Sequence, residues 1–96
     1  MRQLYKFHWD CGRMGALDGL FIADGADVAD LCGKEIYFGE VLGKHSEIYG
    51  TLKPDHVQPI SSDPVVVDAL SRAVGRDTIS GYNPFEYFDE EAYEED

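Results

Sequence analysis

The first regular feature of the chain is an alternation. Across Leu4 to Trp9 the residues Leu4, Lys6 and His8 fall on one parity and Tyr5, Phe7 and Trp9 on the other, the period of a strand with one buried face. The aromatic set is the natural core side, which leaves His8 projecting with Lys6 toward water or a cleft. Gly12 and Gly15 then favour a turn over Asp10 to Gly15. ALDGLFIAD follows as a second strand with Leu17, Leu20 and Ile22 as its apolar positions and a bulge expected at Gly19.

A short helix is predicted over DVADLC, capped by Asp24 or Asp27, with Val28, Leu31 and Cys32 at i, i+3 and i+4 and Gly33 after its end. Two more strands, Glu35 to Leu42 and His45 to Leu52, are predicted around a two-residue turn at Gly43 and Lys44. Both faces of that ribbon carry aromatic residues, so the sequence admits a curl toward a partial barrel. HVQPIS reads as an edge strand, because Pro59 lacks the donor a central position requires. The strongest local pattern is SDPVVVDALSRAVG. Asp63 stands at the N-cap, Pro64 at the first helical position and Gly75 past the end, with Val66, Val67, Leu70 and Val74 as the core stripe and Leu70 expected to be fully buried. Gly81 to Pro84 reads as a turn, after which Phe85 and Phe88 tuck onto the sheet. The predicted architecture is α+β: an antiparallel sheet of four to five strands with one short and one longer helix and an acidic C-terminal tail.

Composition bounds this picture. Ninety-six residues with a 44% hydrophobic fraction, six Tyr, five Phe and one Trp suit one small packed domain, placed at 1–88, followed by a tail at 89–96. Charge separates the two. Glu86 to Asp96 holds seven of the nineteen acids and none of the eight Lys and Arg, so the net charge of −11 falls to −4 over the rest of the chain. Such a run of acids repels itself and stays solvated or docks on something basic. The sequence shows no basic-then-apolar leader and no apolar run near the ~20 residues of a membrane span. Its two cysteines do not make a disulfide framework. A soluble, cytoplasmic protein with no membrane contact is the expectation.

The candidate chemistry is concentrated in two polar clusters. In HWDCGRMG the parity of the strand places His8 with Asp10 and sets Cys11 on the opposite side, which argues against a Cys–His nucleophile and base; Arg13 follows in the turn. Zinc binding by His8, Cys11, Cys32 and His45 would draw single ligands from four separate places, so no metal and no cofactor is expected. The second cluster, GEVLGKHSE, brings Glu40, Lys44, His45 and Glu47 to the hairpin tip, without the spacing of a phosphate-binding loop. Glu40 occupies a place where Ile36, Phe38 and Leu42 call for an apolar residue. It is therefore expected to point inward against a cation such as Arg13, Lys44 or His45.

Nucleic-acid binding is excluded by the sign of the charge. The acidic aromatic segment FEYFDEEAYEED fits the converse, with carboxylates standing for phosphates in a basic groove and Phe88 and Tyr93 as apolar anchors. The density of Gly, aromatic and charged residues in compact strings, without a catalytic signature, is similar in style to small accessory proteins of phages and other mobile elements. That resemblance implies no site residue. The sequence thus points to a non-enzymatic acidic binding or inhibitory protein that engages a basic protein surface. The competing expectation is a small-ligand or enzymatic site where His8, Asp10 and Arg13 meet Glu40, His45 and Glu47.

Overall fold

A computed structural model of the chain describes residues 2–43 and 47–88, the Met14 side chain apart. The fold is α+β. Its strands and helices run β1 (Arg2–Asp10), β2 (Ala16–Asp24), α1 (Gly25–Leu31), β3 (Glu35–Gly39), β4 (Ile48–Thr51), β5 (Val57–Ser61), α2 (Pro64–Val74) and β6 (Thr78–Gly81). Four strands form an antiparallel sheet in the order β5-β1-β2-β6, and β3 with β4 forms a separate two-stranded ribbon. The curl anticipated for the ribbon does not close into a barrel.

The alternation in β1 sorts the side chains into two cores. Tyr5, Phe7, Leu17 and Phe21 project from one face of the sheet onto Val28 and Leu31 of α1 and onto Ile36, Phe38 and Ile48 of the ribbon. Phe38 is the hub of this side, with its ring centroid 5.8 Å from Phe7, 5.6 Å from Trp9 and 4.7 Å from Tyr87. Leu4 and Ile22 point the other way and are covered by Val67 of α2. Lys6 and His8 share that second face but stay exposed. The apolar strip under α2 is therefore short.

That shortness corrects the expected helix stripe. Only Val67 of α2 is buried, Leu70 is half-buried, and Val66 and Val74 are exposed, because the sheet face beneath the helix turns polar at Lys6 and His8. The ends of α2 follow the sequence pattern. Val65 N–H donates to the Asp63 carboxylate, and Gly75 takes the left-handed conformation at φ 83°. Asp24 likewise caps α1 by accepting from Ala26 N–H.

Four further expectations change. Gly19 makes no bulge in the β1–β2 pairing, which stays in register from Arg2 to Asp10; it sits where the backbone of Tyr82 passes close, and the register break lies beside it, between Leu20 and Phe21 on the β6 side. The ribbon strands are shorter than predicted. The first stops at Gly39 rather than Leu42 and the second spans Ile48–Thr51, while the predicted turn at Gly43 and Lys44 lies partly outside the described residues. The stretch before the predicted Gly81 turn forms β6, an edge strand that the turn signals from Gly81 to Pro84 obscure in the sequence. Beyond it Phe85 packs edge-on against Phe21 at 5.8 Å, while Phe88 bridges to Ile36 of the ribbon rather than to the four-stranded sheet. Among the described residues no helix is long and apolar enough to cross a membrane.

Candidate functional site

The first polar cluster disperses. His8 lies directly opposite Asp18 across the β1–β2 pair, and its Nδ1 is 2.6 Å from Asp18 Oδ1. Asp10, from which convergence with His8 was expected, instead accepts the Gly12 N–H at 2.8 Å and closes the turn that carries the exposed Arg13. Cys11 is half-buried and donates weakly to the Trp9 carbonyl oxygen. Burial, then the nearby Asp10, pushes its thiol above the ordinary range, and burial does the same at Cys32. A raised value disfavours the thiolate, so neither shift activates its sulfur as a nucleophile.

The second cluster is also rearranged. Glu40 was expected to point inward, but it is exposed. The shift of pairing between Tyr37 and Gly39, with Gly39 at φ 83°, ends the strand before Glu40, so the alternation that placed it on the core side no longer applies. Glu47 is exposed and accepts the Tyr37 hydroxyl at 2.8 Å. Phe7 and Trp9 meet the ribbon through Phe38, so His8, on the opposite parity, projects from the other face of the sheet, away from Glu40 and Glu47. Lys44, His45 and Tyr93 lie outside the described residues, as does the tail at 89–96.

Sequence reasoning missed His56. Its imidazole stacks on Trp9 with centroids 4.4 Å apart and planes inclined 12°, and its Nδ1 accepts the Lys53 N–H at 3.1 Å. No short-range spacing signals this contact, because the turn before β5 brings it to β1 from across the chain. Burial, followed by the charge of Lys53 and a smaller effect of His8, holds the ring below the ordinary imidazole value of 6.5, with Asp55 opposing. The sign follows from proton binding. The unfolded chain takes up the proton more readily, so this contribution to stability is full above pH 6.5 and is lost as pH falls from there toward the lower folded value. We expect the urea midpoint, followed by emission of Trp9, to drop as pH falls below 6.5, and His56→Gln to flatten that part of the profile. An unaltered pH profile in the variant would assign the drop to other groups.

Concavity is found along α1. A cavity of about 440 Å³ is lined by Arg2, Ile22, Asp24, Asp27, Asp77 and Phe85, among others, and a second of about 290 Å³ by Asp27, Asp30, Leu31, Lys34, Phe85 and Phe88. They share Asp27 and Phe85 and so form one open groove. Its carboxylates come from the N-cap Asp24 and from Asp27 and Asp30 of α1, at three-residue spacing, and from Asp77 just before β6. Its cations, Arg2 and Lys34, are engaged: Arg2 pairs with Asp77 at 2.6 Å, and the Lys34 ammonium lies 5.3 Å from the centre of the Phe88 ring. Of the described residues singled out from sequence for partner binding, Phe88 alone lines this groove. The three-residue spacing of the aspartates was visible in the sequence, but their placement over Phe85 depends on the turn at Asn83. There the Asn83 side chain accepts the Phe85 N–H at 3.0 Å and donates to Thr78 Oγ1 at 2.9 Å.

Among the described residues no cluster of three or more His, Cys, Asp or Glu is arranged to hold a metal ion. Comparison of the chain with protein-family models, with curated proteins and with solved structures finds no match, so the groove and the ribbon are interpreted from their own chemistry.

Proposed function

We propose that the protein is a non-enzymatic acidic binding protein that engages a basic protein surface, in the manner of a small inhibitory or accessory protein of a phage or mobile element. The observation that carries this is the α1 groove, whose lining combines four carboxylates with the aromatic rings of Phe85 and Phe88. Aspartates along the groove attract cationic side chains over long range, and the half-buried rings of Phe85 and Phe88 give their aliphatic stems apolar area to cover. Lys34 over Phe88 makes the same kind of contact within the chain. The unpaired thiols of Cys11 and Cys32 favour a reducing, cytoplasmic setting.

The test uses a fluorescent nonapeptide of alternating Lys and Leu. It is expected to bind, to weaken steeply as ionic strength rises through about 0.15 M, and to lose at least about ten-fold in affinity to a chain carrying Asp27→Lys and Asp30→Lys. Both positions are exposed, so the fold should survive. Affinity unchanged by salt and by the double substitution would refute the groove as a basic-surface site.

A further inference from the structure

The outer face of the β3–β4 ribbon displays aromatic area that the core does not use. Tyr37 and Tyr49 stand directly opposite one another in register, with ring centroids 6.2 Å apart, planes inclined 25°, and 50% and 62% of their surfaces exposed. The inward positions Ile36, Phe38 and Ile48 already supply the packing. The polar groups beside the tyrosines are acceptors for a donor-rich visitor. The Tyr37 hydroxyl donates to Glu47 at 2.8 Å, and one rung further along the Thr51 hydroxyl donates to Glu35 at 2.8 Å. The bond to Glu47 is the main cause that pushes the Tyr37 phenol above its ordinary value, and the charges of Glu47 and Glu40 add to it, so both carboxylates act on this face.

We infer that the Tyr37–Tyr49 face receives an arginine side chain from a basic protein segment, the guanidinium lying on the exposed rings and donating to the Glu47 carboxylate. The π faces of the rings carry negative potential and attract a cation held within about 6 Å. A carboxylate that accepts one hydroxyl retains lone pairs for a second donor. A planar, weakly hydrated guanidinium stacks on a ring and donates in the plane at the same time, whereas a compact, strongly hydrated ammonium does one or the other. A phosphate-bearing ligand would meet the carboxylates unfavourably. The inference rests on the proposal that the protein engages a basic surface, and it names the side chain which that surface brings to the ribbon.

The experiment titrates the isotopically labelled full chain with an acetylated peptide of three arginines spaced by Gly-Ser and with its lysine counterpart. The arginine peptide is expected to shift the amides of β3 and β4 and to bind about five-fold more tightly than the lysine peptide, within the span of a surface cation–π contact. Tyr49→Ser should remove most of that preference. Tyr37→Phe, which keeps the ring and loses the hydroxyl bond, should keep it to within about two-fold. Amide shifts confined to the ribbon in Tyr49→Ser establish that the variant remains folded. Equal affinity for the two peptides, indifference to Tyr49→Ser, or no binding overturns the inference. Shifts on α1 alone overturn it while leaving the groove standing. Arginine-selective binding at the ribbon, with failure of the Lys-Leu peptide at α1, removes the groove and keeps the ribbon.

Discussion

Gly19→Ala is expected to lower stability by at least about 3 kcal/mol, a large part of the roughly 5–15 kcal/mol that holds a small domain together. A methyl group at Gly19 would lie 2.0 Å from the carbonyl oxygen of Tyr82 and 2.7 Å from its amide nitrogen. These are backbone atoms, and they cannot swing aside as a side chain would. The Tyr82 N–H is bound to the Asp18 carbonyl at 3.0 Å, and Gly19 is paired with Gly81, whose own Cβ would come within 2.2 Å of the same Asp18 oxygen. Relief would require β6 to leave the sheet. Gly12→Ala is the control, since Gly12 has φ 69° but open space around it, and its cost should stay near the ~1 kcal/mol of backbone strain alone. Urea midpoints of the two variants make the comparison. Equal losses would mean that β6 does not press on β2 as described.

Phe7→Ala is expected to cost on the order of 3–5 kcal/mol, the range for a large aromatic removed from a core. Phe7 is fully buried, and its ring meets both Trp9, at 6.2 Å, and Phe38, at 5.8 Å. It is thus a principal contact between the four-stranded sheet and the ribbon. Leu70→Ala should cost about 1 kcal/mol, because Leu70 is half-buried at the rim of the smaller core beneath α2. Unfolding followed by Trp9 emission should separate the two variants clearly, with the Phe7 variant also losing the near-ultraviolet signal of the packed rings. A Phe7 variant no less stable than the Leu70 variant would show that the ribbon is not docked on the sheet.

The elements legible in the sequence were those whose signals are local. The parity of Leu4 to Trp9 assigned Tyr5 and Phe7 to the core and His8 to the surface, and the cap grammar of Asp63, Pro64 and Gly75 marked both ends of α2. What the sequence could not show was which apolar surface each element would find. Val66 and Val74 obey the helical period yet stay exposed, since the sheet face beneath α2 turns polar at Lys6 and His8. Glu40 violates a strand pattern only if the strand continues, and the break at Gly39 stops it. The groove has the same origin. Its aspartates are sequence neighbours, but Phe85 reaches them through a turn that Thr78 and Asn83 hold together from β6. The pairing of His8 with Asp18 is a matter of register, which follows from the turn between β1 and β2 rather than from either residue.

Pro59 has a consequence at the scale of many molecules. The four-stranded sheet is open, and an open sheet offers its outer strands as templates on which further copies of the chain could stack. One outer strand, β5, is interrupted at Pro59, which carries no amide hydrogen; the other, β6, is only four residues long and adjoins the pairing break between Leu20 and Phe21. Neither presents an unbroken ladder to an incoming strand. The same proline that marked β5 as an edge in the sequence thus works against fibrous stacking on that side of the four-stranded sheet.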